Sequence, residues 1–129
     1  MAAALLMATF AAGCADEARV DCPRSPEGIT VHVALDETTT PPGQTPPTSR
    51  EAPVVLYKAD EGRQIVVEAS TDASGCLAIR AATQALEPGH YVVEASINRG
   101  QCDWFDDAAF AYDGGHAFIQ LTLTCQVVN

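Results

Sequence analysis

The chain has 129 residues and a formal net charge of −10, from 17 acidic residues against 7 Lys plus Arg. That length fits one domain, and the charge excludes binding to a phosphate backbone, because there is no basic patch to release counterions. No charged residue precedes Cys14, so a mature chain starting there keeps all of the acidity, which serves solubility.

Residues 1–13, MAAALLMATFAAG, are uncharged, apolar and rich in small side chains. The stretch is shorter than the ~20 residues needed to span a bilayer and fits the apolar part of a signal peptide. Ala11-Ala12-Gly13-Cys14 resembles the bacterial lipobox, with Ala11 where Leu is usual and no basic residues in front. The resemblance implies that Cys14 becomes the N-terminus and carries diacylglycerol on its sulfur, so that the membrane is the partner of this end. Ala15 after the cysteine, by the same resemblance, implies the outer membrane of the cell envelope. Ordinary signal cleavage near Gly13 is the alternative. It would leave Cys14 a plain thiol on a secreted or periplasmic protein. Residues 14–27 are polar, with two Pro, and read as a tether.

Residues 28–129 read as the domain. Ile29, Val31, Val33 and Leu35 alternate with Thr30, His32 and Ala34, which predicts a first strand with one apolar face and an exposed His32. Residues 38–50, TTTPPGQTPPTSR, hold four Pro, one Gly and five Thr. They predict an extended, polyproline-like excursion, either a tolerated insertion or a binding loop. Thr clustered with Pro also raises O-glycosylation. Four short apolar runs follow: Val54 to Tyr57, Ile65 to Ala69, Leu77 to Arg80 and Tyr91 to Ile97. Each is of strand length and closed by turn residues such as Asp60-Glu61-Gly62, Asp72-Ala73-Ser74-Gly75 and Pro88-Gly89.

The pieces Val54-x-Leu56, Thr71-Asp72-x-x-Gly75-x-Leu77-x-Ile79 and Leu86-x-Pro88-Gly89-x-Tyr91-x-Val93 resemble the carboxypeptidase-regulatory-like domains and the collagen-adhesin B-type repeats. The resemblance implies an all-β, roughly seven-stranded antiparallel sandwich of the prealbumin-like or Ig-like kind. It also implies a structural or adhesive module rather than a catalyst. The adhesin domains sometimes carry a Lys–Asn crosslink; Lys58 is the only lysine here, and Asn129 is its one in-phase partner, but Lys58 closes its strand and Glu94 looks outward.

Two further runs flank Asp113-Gly114-Gly115, a hairpin signal because its central positions favour positive φ. Centring the turn between Asp113 and Gly114 sets Cys102 opposite Cys125 and predicts a disulfide. The same register sets Asp106 opposite Leu121, which calls for a bulge near Asp106-Asp107 or for 101–107 being loop. With Cys14 given to lipid, the remaining cysteines predict a second bridge, Cys22–Cys76, by elimination. Cys76 is out of phase with Leu77 and Ile79, so a tether crossing the outside of the sheet can reach it.

His32, His90 and His116 fall on separate strands without metal-ligand spacing, no nucleophile-elbow motif is present, and both Met lie in the leader. We therefore expect no enzyme activity, metal or cofactor. Asp103, Asp106, Asp107 and Asp113 read as solvated loop acids rather than a calcium site. Trp104, Phe105 and Tyr112 are the candidates for a sugar- or peptide-binding surface; the competing reading puts them in the core or in cross-strand pairs. The expectation is a lipid-anchored, non-enzymatic envelope module with a structural or protein-interaction role. The alternative is a carbohydrate- or peptide-binding module that uses the 38–50 loop or these aromatics.

Overall fold

The structure is a computed structural model, and it describes residues 22–24, 27–48, 50–60 and 62–127. Its strands are β1 (Gly28–Leu35), β2 (Pro53–Lys58), β3 (Ile65–Ser70), β4 (Cys76–Arg80), β5 (Gly89–Arg99), β6 (Cys102–Tyr112) and β7 (His116–Val127). All six apolar runs and the first alternating stretch therefore become strands. A single helical turn, α1 (Ala81–Gln84), interrupts β4 and β5 and ends on Ala85 at φ +54°. A 3-10 turn, Glu37–Thr39, follows β1 and is capped by the Asp36 carboxylate, which accepts from Thr38 N.

The seven strands form one sheet in the order β3-β2-β5-β6-β7-β1-β4. The sheet is barrel-like. Its two edges, β3 and β4, follow one another in the chain and come into contact without pairing. The sheet is mixed, not purely antiparallel, because β1 runs parallel to β7 from Gly28↔His116 to Leu35↔Leu123. The cause lies at the top of β1: Gly28 N donates to Gly115 O, so β1 enters beside the β6–β7 turn and runs the same way as β7. Gly28 has φ +138°, and a Cβ there would overlap the Ile79 carbonyl oxygen. Only glycine lets the chain reverse so close to β4.

Alternation builds the interior as expected. Ile29, Val31 and Val33 of β1 meet Val54 and Leu56 of β2, Ile79 of β4, Tyr91 and Val93 of β5, and Leu121 and Leu123 of β7. Each side chain removed from water in this way contributes roughly 1.5–3 kcal/mol. Tyr91 keeps its ring in this core while its hydroxyl donates to Glu87 O at 2.6 Å and accepts from Glu87 N at 3.2 Å. That clasp fixes the bend at Pro88, from which β5 starts at Gly89.

The β6–β7 hairpin departs from the simple register. Its ladder runs only from Cys102↔Val127 to Phe105↔Thr124, and three residues, 113–115, connect the strands. Beyond Phe105 the strands part, and Asp106 Oδ2 accepts from Thr122 N at 2.9 Å where a backbone carbonyl would otherwise do so. On its other edge β7 pairs with β1. Residues 101–107 are strand apart from the turn residue Gln101, so the loop alternative fails.

Candidate functional site

A sulfur staple organises the outside of the sheet at β1. Cys22 is bonded to Cys76, with the Cα atoms 5.6 Å apart. Cys76 pairs with His32 in the β1–β4 ladder, so the bridge lies over the outer face of β1. Arg24 continues across that face, its guanidinium 4.4 Å from the centre of the Phe118 ring. Beneath, Thr30 and His32 are buried, which makes β1 buried on both faces from Gly28 to Val33. The expectation of an exposed His32 is overturned: the residue is 6% exposed. Phase alone assigned His32 to solvent, but the segment tied down by Cys22 covers that side.

The covered polar groups are paired, as desolvation requires. Gln120 Nε2 donates to Leu121 O at 3.1 Å, which turns its Oε1 toward His32 Nδ1 at 2.9 Å. Thr30 Oγ1 and His116 Nε2 lie 3.2 Å apart. At the foot of the staple, Asp72 Oδ1 accepts from Ser74 N and Cys76 N at 2.8 and 3.0 Å. These bonds, that from Cys76 first, hold the Asp72 carboxyl below the usual carboxylate value.

The second bridge, Cys102–Cys125, forms as expected, with Cα atoms 5.1 Å apart. It does not join directly opposed residues. Cys102 stands opposite Val127 and Cys125 opposite Trp104, so the bond crosses the ladder diagonally. Cys14 and Asn129 lie outside the described residues. Lys58 pairs with Tyr91 near the start of β5, whereas Val127, two positions before Asn129, pairs with Cys102 beyond the far end of that strand. Lys58 and Val127, the described ends, are therefore about 27 Å apart along the strands at the usual strand rise.

The aromatic candidates separate. Trp104 and Tyr112 are 1% and 2% exposed and belong to the core; Phe105 alone, half-buried, is on the outer face. Even-numbered residues of β6 face inward, so the three cannot make one surface. Burial raises the Tyr112 phenol above its ordinary value, with Glu27 and Asp113 adding to the effect, and its hydroxyl donates to Gly115 O. Two of the four acids of this hairpin, Asp106 and Asp113, also have structural partners. Asp106 accepts from Asp107 N and Thr122 N, and Asp113 accepts from Gly115 N. Among the described residues no cluster of three or more His, Cys, Asp or Glu could hold a metal ion.

The 38–50 loop is pinned rather than free. Thr39 Oγ1 accepts from Cys125 N at 3.0 Å, Gln44 Oε1 accepts from Gln101 N at 3.5 Å, and Pro47 is buried. At the opposite end of the sheet a depression of about 110 Å³ is lined by Lys58, Asp60, Glu87, His90 and Tyr91. Lys58 Nζ lies 4.0 Å from Glu87 Oε1 on its rim. Ligand pockets usually exceed about 300 Å³, so this one has room for water or a small ion. Sequence reasoning missed it because its walls come from β2 and the α1–β5 link, about thirty positions apart, with no shared motif. No family model and no curated protein matches the chain.

Proposed function

We propose that this chain is an exported module held to the bacterial envelope by lipid on Cys14, acting as a structural or protein-interaction domain rather than as an enzyme. In this reading the barrel-like sheet is a prealbumin-like sandwich akin to the carboxypeptidase-regulatory-like and adhesin B-type domains, displayed from the outer membrane. The supporting observation is the sulfur count. Four of the five cysteines are joined in two bridges, and the one left over, Cys14, directly follows an apolar leader. Disulfides persist in oxidising compartments such as the periplasm and cell surface. Two or more acyl chains, at about 0.8 kcal/mol per buried CH₂, make a lasting anchor.

The staple gives this reading a mechanical consequence. Cys14 precedes Cys22 by eight positions, a reach of at most about 28 Å fully extended, so the domain would stand close to the bilayer. The test is fatty-acid labelling and fractionation of the protein and of Cys14→Ala. Label in the wild-type protein, with the variant unlabelled and released from membranes, is expected. An unlabelled wild-type protein in the medium would refute the anchor.

A further inference from the structure

We propose that Thr45 and Thr48, in the loop joining β1 to β2, are acceptors for an O-linked sugar. This rests on the export reading above, because it needs an envelope glycosyltransferase and an activated sugar.

The loop's threonines divide into two groups by their hydrogen bonds. The first three are engaged. Thr38 Oγ1 donates to Asp36 Oδ1, Thr39 Oγ1 donates to Asp36 O at 2.7 Å while accepting from Cys125 N, and Thr40 Oγ1 donates to Glu37 O at 2.7 Å. They close the 3-10 turn and cap the end of the β7 ladder. Thr45 and Thr48 are exposed, and neither hydroxyl has a partner among the described residues.

The backbone around these two hydroxyls is already shaped for a transferase. Pro46 follows Thr45 and biases it toward extended geometry, and Pro46 and Pro47 fix their own φ near the polyproline value. The segment has anchors on both sides. Gln44 holds the β5–β6 turn, Pro47 is buried, and Glu51 and Ala52 bond to Thr71. An enzyme that takes its acceptor as an extended strand would therefore lose little conformational entropy in binding 44–48. Thr38, Thr39 and Thr40 would first have to give up their bonds and the turn.

The step is a substitution at the anomeric carbon of a sugar carried on a nucleotide or lipid phosphate. The threonine oxygen forms the new C–O bond, the bond from carbon to phosphate oxygen breaks, and the phosphate leaves with the electron pair. The hydroxyl proton passes to a base of the transferase. No oxidant or reductant is involved.

The test is mass spectrometry of the full mature protein from the envelope of the cells that naturally make it. The tryptic peptide ending at Arg50 should carry carbohydrate mass, located on Thr45 and Thr48 by fragmentation that spares the glycan. Thr45→Ala with Thr48→Ala should abolish the added mass, and Thr38→Ala with Thr40→Ala should retain it. An unmodified peptide, phosphate in place of sugar, or sugar that persists in the Thr45/Thr48 double variant would overturn the proposal. The Cys14 peptide, read in the same digest, separates the two claims. Acylation without sugar refutes this inference alone; sugar without acylation refutes the anchor alone. Because Thr45 and Thr48 are exposed and have no partners among the described residues, the double variant should keep the wild-type unfolding midpoint.

Discussion

The two halves of the sheet treat their outer faces differently. At β1 the outer face is covered by a segment stapled at Cys22, and Thr30 and His32 are buried there beside a disulfide. Over β3, β2, β5 and β6 it is open, apart from one ordered patch. There Tyr57 donates to Glu94, and Arg63 stacks 4.3 Å from the Tyr57 ring centre while its Nη2 lies 3.4 Å from Glu94 Oε2. The covered half depends on a covalent link across 54 positions, the open half on local contacts from the β2–β3 turn. Cutting the link should therefore cost far more than trimming the patch.

The largest effect is expected from Cys22→Ser with Cys76→Ser. The bridge spans 54 positions, for which loop-closure estimates give about 4 kcal/mol. A domain of this size has only about 5–15 kcal/mol in all. Urea unfolding should show the loss, and amide exchange should show β1 losing protection before β5. Cys102→Ser with Cys125→Ser, across 23 positions, should cost somewhat less, about 3 kcal/mol, without selective exposure of β1. His32→Ala removes a buried ring and its bond to Gln120 Oε1 and should cost about 1–3 kcal/mol. Arg63→Ala on the open half should cost no more than about 1 kcal/mol, since Arg63 is largely exposed and its ion pair is screened. If Arg63→Ala proved as harmful as His32→Ala, the contrast between the halves would not hold.

Acid should also act on the staple's side. The Asp72 carboxyl titrates below its ordinary value in the folded state. Its contribution is thus present above the unfolded pKa near 4 and is lost as pH falls through the lower folded pKa. Asp72→Asn should remove that contribution, lowering stability near neutrality, flattening the stability–pH curve in the acid window and changing little below it.

Much of this architecture could be read from residue order, because an inner face needs only alternation. Val54 and Leu56, Tyr91 and Val93, and Leu121 and Leu123 all point where their period sent them. Both disulfides were legible too, one from the hairpin and one by elimination. The outer faces were not, because alternation records which side is apolar and says nothing about what lands on the other. His32 looks the same in sequence whether water or a stapled strand covers it. The parallel pairing of β1 with β7 left no trace for a similar reason, since strand direction does not alter the period. Asp106 hid the inward phase of β6: an acid between Trp104 and Tyr112 suggests a loop, yet the Thr122 amide satisfies it inside a strand. The end depression required residues from separate strands, and no local pattern joins them.

The most direct measurement is disulfide mapping of the native protein by non-reducing peptide mass spectrometry. The account predicts one linked pair holding Cys22 with Cys76, another holding Cys102 with Cys125, and Cys14 in neither. Cys22 found as a free thiol would contradict the stapled cover, and Cys14 found in a bridge would contradict the proposed lipid anchor.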